Sequence, residues 1–390
     1  IKNSKNFILN NNEIDFVADY LKISKESICL EKKITKYIFW NRKKIEKTKR
    51  PITRDGIHFY NYYSLPTPSG FVGPVILDIL CPKNKIPKLN NGHLEQAITI
   101  NLGPEDIFGR WGKSKKKHHF SKIKFNYGPK NRWIVGDTYV EPTYCQHSYS
   151  RATDFNSQIL SYTAKSPIEK FIKNLNLWSK ESYKDLVRSF SEKDDVGALF
   201  NFYMLNRCVD FKYISHFLRK KITNFRQLRK NQKNLNKICN HLGIDPAIFV
   251  NKVYKQDGVG KSYMSFADSF KTIRRFKLYK IASMASSSRY PDVFGIFINV
   301  SKKNNSKDLM DYASSHYLVS DGTLNLNIEN KMIKLKKGDA LWVSSFVKHG
   351  FGGLGSLIKI SNGEIMDTSD IFEISKLYNI KKTLVRSYQD

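Results

Sequence analysis

Acidic residues are scarce in this chain of 390 residues: 35 Asp and Glu stand against 66 Lys and Arg, a formal charge of +31. Such an excess invites a polyanionic partner. The lysines, however, run along the whole length among abundant Asn and Ile, which reads as general lysine enrichment. No nucleic-acid partner is expected on that ground, and a basic field equally suits a small dianionic substrate. Long hydrophobic runs are missing too. No stretch of 18 apolar residues occurs, so no membrane-spanning helix is expected, and no secretory signal is visible. Cysteine is sparse. Cys29, Cys81, Cys145, Cys208 and Cys239 are odd in number, scattered and never spaced CxxC. That argues against a zinc ribbon or a disulfide scaffold and for reduced thiols in a cytoplasmic protein. The first residue is Ile1, so residues 1–50 are expected to be an N-terminally incomplete segment.

What remains is the composition of a globular protein, 41% apolar and 13% aromatic, long enough for two or more cores. Residues 1–50 read as helical: Ile14, Phe16, Val17, Tyr20 and Leu21 follow a 3.6 period, and Ser24 suits the cap of a second short helix. Residues 41–51 look like a basic connector. From 51 to 165 short β-type runs are punctuated by Pro and Gly, as in a barrel or jelly roll. Residues 166–256 return to helix, with Gly243 as a C-cap. Residues 257–375 are β-like again, and 376–390 form a tail. The fold class expected is mixed α and β, with two β-barrel domains, each preceded by a helical, helix-turn-helix-like segment.

The duplication can be checked by spacing. Gly136 to His147 is 11 positions, as is Gly338 to His349, and both runs begin Gly-Asp. Five positions after Gly136 stands Glu141, but five after Gly338 stands Val343. The second barrel keeps His316 and His349 and loses the carboxylate; Asp321 sits in a loop-like position. It is expected to be structural.

In the first barrel His93, Glu141 and His147 are ligand types. Glu141 and His147 are six residues apart, roughly 20 Å along an unbroken strand at about 3.3 Å per residue. For both to meet one ion the chain must fold back, and Pro142 marks the place. Two His and one carboxylate with open positions describe the facial triad of non-haem Fe(II) oxygenases. Hydrogen-bonded barrel histidines beside a surface acid fit the same three residues. Two other signals are set aside. Gly258-Val259-Gly260-Lys261-Ser262 has Lys255 where a phosphate-binding loop needs glycine. His118-His119 lies in a lysine-rich insertion.

Longer runs carry a resemblance. Arg50-Pro51-Ile52-Thr53-Arg54-Asp55-Gly56-Ile57-His58-Phe59-Tyr60-Asn61-Tyr62-Tyr63, Asn90-Asn91-Gly92-His93-Leu94-Glu95 and Tyr139-Val140-Glu141-Pro142-Thr143-Tyr144-Cys145-Gln146-His147 resemble the hydroxyethylphosphonate dioxygenase and methylphosphonate synthase family. The resemblance implies a bicupin, with Fe(II) as cofactor and O2 and 2-hydroxyethylphosphonate as substrates, without 2-oxoglutarate. It implies His93, Glu141 and His147 as iron ligands, Arg54, Tyr62 and Asn90 as phosphonate-binding residues, and Tyr139 as a tyrosine behind the ligands. A homo-oligomer is also implied. A substrate lysine of the family precedes Ile1 and is assigned to no residue here. Gln96 and Gln146 replace prolines of the dioxygenase branch, and the synthase branch is associated with a glutamine ligand. Gln96 therefore stands as an alternative ligand or supporting group, and methylphosphonate as the expected product, with hydroxymethylphosphonate as the alternative. A DNA-binding regulator with a sensory cupin is the reading from a different class; it requires salt-dependent binding to duplex DNA.

Overall fold

The computed structural model describes residues 10, 12–14, 16–17, 35–54, 56–68, 71–85, 88–112, 132–163, 177, 179, 181, 195–249, 262–287, 290–303, 306–363, 366–377, 379 and 381. They belong to two compact units, one formed by residues 1–167 and 255–390, the other by residues 168–254.

The first unit holds the strands. Its N-terminal half contains β1 (Tyr37–Trp40), helix α1 (Arg42–Glu46), β2 (Arg50–Arg54), β3 (Ile57–Ser64), β4 (Val75–Ile79), β5 (Ala97–Gly103), β6 (Ile107–Gly112), β7 (Arg132–Trp133), β8 (Thr138–Glu141), β9 (Gln146–Arg151) and β10 (Ser157–Thr163). The other unit contains α2 (Asp195–Asn206), α3 (Phe211–Leu218), α4 (Phe225–Arg229) and α5 (Gln232–Leu242). The C-terminal half of the first unit contains β11 (Ser262–Met264), α6 (Phe266–Lys271), β12 (Arg274–Phe276), β13 (Tyr279–Ser283), β14 (Phe294–Val300), β15 (Ser315–Ile328), β16 (Lys331–Lys336), β17 (Ala340–Val343), β18 (His349–Ser361) and α7 (Thr368–Lys376).

These strands build an antiparallel sheet in the order β11-β8-β5-β10-β4-β3-β2 and a three-stranded partner, β7-β6-β9. The C-terminal half forms one sheet, β1-β17-β15-β18-β14-β13-β12, with β16 against β15. The bicupin architecture is thus in place. The two halves exchange strands. β1 precedes the first barrel in sequence but pairs with β17 of the second, from Tyr37↔Val343 to Trp40↔Ala340. β11 precedes the second barrel and pairs with β8 of the first, with Tyr263 opposite Tyr139. One device secures both exchanges. Gly136 (φ 88°) and Gly338 (φ 86°) take a left-handed turn that glycine adopts freely. The aspartate that follows is then aimed at a helix start. Asp137 Oδ1 accepts from the Phe266 N–H at 2.9 Å, and Asp339 Oδ1 accepts from the Arg42 N–H at 2.9 Å. Their other oxygens accept from Ile134 and Lys336.

Alternation along β5 places its residues on two faces. Ile98 and Ile100 join a core shared with Leu318, Ile358 and Ile360 of the second half. Ala97 and Thr99 lie opposite Glu141 and Tyr139. In the helical unit Asp210, Asn224 and Asn231 cap α3, α4 and α5, and Gly243 (φ 66°) ends α5. Phe200, Ile214, Leu228, Leu235, Ile238 and Phe249 form its core.

Some segments differ from expectation. Residues 12–14 and 16–17 are helical, but Tyr37–Trp40 within the segment read as helix is a strand, because its partner lies on β17. The basic connector holds the short helix α1, capped by Asn41. Among the described residues the last β residue is Ser361, and α7 follows it within the span read as barrel. The second short helix at Ser24, His118-His119 and most of the glycine-rich run before Ser262 lie outside the described residues.

Candidate metal centre

Three backbone features bring the ligand types together. β8 ends at Glu141, and the chain turns through Pro142, with the Cys145 N–H donating to the Pro142 carbonyl at 3.3 Å, before β9 begins at Gln146. Tyr144 takes φ 57° in that turn. Gly92, at φ 73°, packs so closely against the turn that a Cβ would lie 2.6 Å from the Tyr144 carbonyl carbon. The Tyr144 N–H then donates to the His93 carbonyl at 2.7 Å, which sets His93 beside Glu141.

The side chains converge. One ligand atom from each of His93, Glu141 and His147 lies within 4.8 Å of the others. Glu141 Oε1 is 3.0 Å from His93 Nε2 and 3.4 Å from His147 Nδ1. The two imidazole rings are 5.4 Å apart. Backbone carbonyls fix both rings: His93 Nδ1 bonds the Glu95 carbonyl at 2.6 Å, and His147 Nδ1 the Cys145 carbonyl at 2.9 Å. Such bonds favour a proton on Nδ1, the arrangement that lets Nε2 offer its lone pair in metal-bound histidines. Burial disfavours the imidazolium of His93, but the Glu141 carboxylate outweighs it and holds the pKa above the ordinary histidine value.

Glu141 is the test of fit for a cation. Its side chain is 1% exposed, and its Oε2 accepts no hydrogen bond among the described residues. No lysine or arginine among them pairs with it. A buried carboxylate oxygen left without a hydrogen bond costs about 1–3 kcal/mol or more. Two imidazoles and this carboxylate form a set that a divalent ion satisfies.

The surrounding residues fall into place unevenly. Asn90 is bound to His147 at three points: its N–H donates to the His147 carbonyl at 3.0 Å, its Oδ1 accepts from the His147 N–H at 2.8 Å, and its Nδ2 lies 3.0 Å from Nε2. Tyr139 is fully buried, and its hydroxyl bonds that of Tyr149. Burial first, then neighbouring charge, raises both phenols far above their ordinary pKa. Tyr62 is half-buried on β3, edge-on to Tyr60 at 6.4 Å. Gln96 is buried directly before Ala97, the strand partner of Glu141. Arg54 ends β2, and its side chain lies outside the described residues.

The second barrel repeats the scaffold without the chemistry. The Phe346 N–H donates to the Asp311 carbonyl at 2.7 Å, the bond that joins Tyr144 to His93 in the first half, and Phe346 also has positive φ (60°). Asp311, not His316, therefore stands where His93 stands. His316 corresponds to Ile98; its ring lies 4.7 Å from Tyr162 and its Nε2 3.2 Å from Thr67 Oγ1. Val343 replaces Glu141, and His349 replaces His147, with Nδ1 on the Val347 carbonyl and Nε2 on the Tyr317 hydroxyl. Lys359 Nζ binds Asp311 at 2.6 Å in this interior. Asp321 is exposed on β15. Strand register places Asp311 four positions before Ser315, as His93 is before Ala97, a correspondence that residue types alone do not show.

Residues 46–164 match the family model described as the 2-hydroxyethylphosphonate dioxygenase cupin-like domain. The chain is 36% identical over 353 residues to 2-hydroxyethylphosphonate dioxygenase of Streptomyces viridochromogenes, covering 88% of this chain and 80% of that protein. A solved structure titled PhpD with cadmium, complexed with hydroethylphosphonate, aligns with a TM-score of 0.76 and 32% identity over 96% of this chain and 90% of that one. A Streptomyces albus structure with 2-hydroxyethylphosphonate and Fe(II) bound, 14% identical, shares the fold at a TM-score of 0.72 over 96% of this chain and 87% of that one.

Proposed function

Because this chain belongs to the 2-hydroxyethylphosphonate dioxygenase family, we propose that it is a non-haem iron oxygenase that uses O2 to break the C–C bond of 2-hydroxyethylphosphonate, giving methylphosphonate and carbonate. The buried Glu141 carboxylate between His93 and His147, with no hydrogen bond on its Oε2 among the described residues, carries the iron reading. These three residues would hold Fe(II), which supplies one-electron chemistry with O2 and a Lewis-acid site for the substrate's oxygens.

The chain's own residues do the rest. The Glu95 and Cys145 carbonyls keep the Nε2 lone pairs of His93 and His147 available by holding the protons on Nδ1. Asn90 orients His147 through its backbone and Oδ1, and its Nδ2–H donors, beside the same ring, would serve a phosphonate oxygen with the ion bound. Arg54 supplies a planar, permanently charged fork for the phosphonate dianion, and the Tyr62 hydroxyl a neutral donor. Tyr139 stays protonated at any working pH, its phenol raised by burial, and so packs behind the ligands as a neutral group.

The product assignment rests on Gln96 and Gln146, which stand where the dioxygenase branch has prolines. Glu141 remains the third ligand and Gln96 a supporting amide, since Glu141 already faces both imidazoles. Phosphorus NMR of Fe(II)-loaded protein after incubation with 2-hydroxyethylphosphonate and O2 decides. Methylphosphonate as main product supports the synthase reading. Hydroxymethylphosphonate assigns the dioxygenase reaction instead, and unchanged substrate with iron bound refutes both.

A further inference from the structure

Oxidisable rings line the interior around the candidate centre. His147 is 5.6 Å from Tyr149, ring centre to ring centre. The Tyr149 and Tyr139 hydroxyls are hydrogen-bonded. Trp133 is 4.4 Å from Tyr139 and 5.5 Å from Trp111, and Trp111 is 5.3 Å from Tyr139. All four rings are buried. On the far side of Tyr139 its strand partner is Tyr263 of β11, and cross-strand partners hold their Cβ atoms about 5 Å apart. Tyr263 is half-buried against the same core and donates its O–H to Asp137 Oδ2 at 2.7 Å. Burial raises the pKa of that carboxyl, making it a better proton acceptor than an exposed aspartate.

The second barrel supplies an internal comparison. Register places Leu341 where Tyr139 stands, Phe351 for Tyr149, Leu335 for Trp133, Ile328 for Trp111, and Phe39 for Tyr263. Apolar filling is met in both halves. Rings that give up an electron occur at these five positions only in the half that carries Glu141.

Resting on the iron reading above, we propose that Tyr149 and Tyr139, flanked by Trp111 and Trp133, carry an oxidising equivalent from the metal centre to Tyr263, sparing the ligands and the two indoles when O2 is consumed without productive turnover. A one-electron oxidant derived from O2 takes an electron from the Tyr139–Tyr149 pair, and both phenolic protons stay within that pair. Tyr263 returns the electron through Tyr139, losing its own proton to Asp137 Oδ2 as its O–H bond breaks. The hole becomes a neutral Tyr263 radical at a half-buried site, where a thiol reductant can restore the hydrogen atom.

The test uses the full chain loaded with Fe(II), its metal content measured first, then exposed to O2 without phosphonate. Freeze-quench electron paramagnetic resonance should show a tyrosyl signal that narrows with ring-deuterated tyrosine. Peptide mass spectrometry should find oxidation at Tyr263 within residues 262–271, assigned by fragment ions that separate it from Met264. In Tyr263→Phe that signal should vanish, and oxidation at Trp111, Trp133 and His147 should rise several-fold. Wild type that holds iron and consumes O2 with no tyrosyl signal and an unmodified Tyr263 overturns the inference, even without the variant, and leaves the function standing. A chain that binds no Fe(II) overturns the function as well.

Discussion

Gly92→Ala tests whether backbone contact builds the metal site. Gly92 has φ 73°, and a Cβ there would lie 2.6 Å from the Tyr144 carbonyl carbon and 2.8 Å from its Cα. A left-handed conformation costs an ordinary residue roughly 1–2 kcal/mol. Carbon–carbon contact is comfortable at about 3.5–4.0 Å, so residues 92 and 144 must part by roughly 1 Å, and overpacking of this kind adds about 1–3 kcal/mol. The expected destabilisation is about 2–5 kcal/mol in urea unfolding of the metal-free protein. Displacing His93 by a comparable amount exceeds the roughly 0.5 Å tolerance of a ligand set, so Co(II) affinity should fall at least about tenfold. Gly56→Ala is the matched comparison. It has the same φ of 73° but nothing within 4 Å of its Cβ among the described residues, so only the left-handed term, roughly 1–2 kcal/mol, applies and Co(II) binding should be unchanged. Equal effects of the two variants on metal affinity would refute the contact argument.

Glu141→Gln removes the buried anion and should weaken Co(II) binding at least about tenfold, read by titration; undiminished binding would move the third ligand elsewhere, with Gln96 first in line. Burial lowers the pKa of His316 to about 3 and of His349 to about 4, against about 6.5 unfolded. The unfolded chain therefore takes up protons first, and this stability, complete above about pH 6.5, is lost as pH falls towards those values. At pH about 4.5 the loss is about 2–3 kcal/mol per histidine; His349→Gln should flatten the melting curve of the metal-free protein over that window, and an unchanged slope contradicts it. Val343→Glu combined with Lys359→Met supplies the missing carboxylate and removes the ammonium from Asp311; metal analysis should then find one more equivalent of Co(II) per chain, and no increase would show that Asp311 and His349 do not form a ligand pair.

The first barrel was legible because its constraints are local. Glu141, Pro142 and His147 lie within seven residues, and two ligands of one ion at that spacing require a turn, which is found between Glu141 and Gln146. The Gly-Asp repeat was equally visible, because a left-handed turn selects glycine in both halves. The strand exchange was not. Tyr37–Trp40 and Ser262–Met264 are too short to announce themselves by alternation, and their pairing energy comes from partners more than a hundred residues away. His316 drew attention as a histidine near a β run, while the position that matters, Asp311, is fixed by a hydrogen bond to Phe346 that no residue pattern displays.

The exchanged strands also explain why two barrels persist when one carries the chemistry. β8 bears Glu141 at its end and Tyr139 in its middle, and among the described residues its outer edge is paired by β11, a strand from the other half. An uncovered edge is an invitation to mispairing. Asp137 closes the join by binding the Tyr263 hydroxyl and the Phe266 N–H across the two halves. The second barrel has β1 and Asp339 in the same places, but its interior charge is satisfied from within, by Lys359 on Asp311. A lysine ammonium carries one charge and cannot change oxidation state, so that half is a closed scaffold. The first half leaves its carboxylate for an ion to satisfy, and its position depends on a strand the inert half contributes.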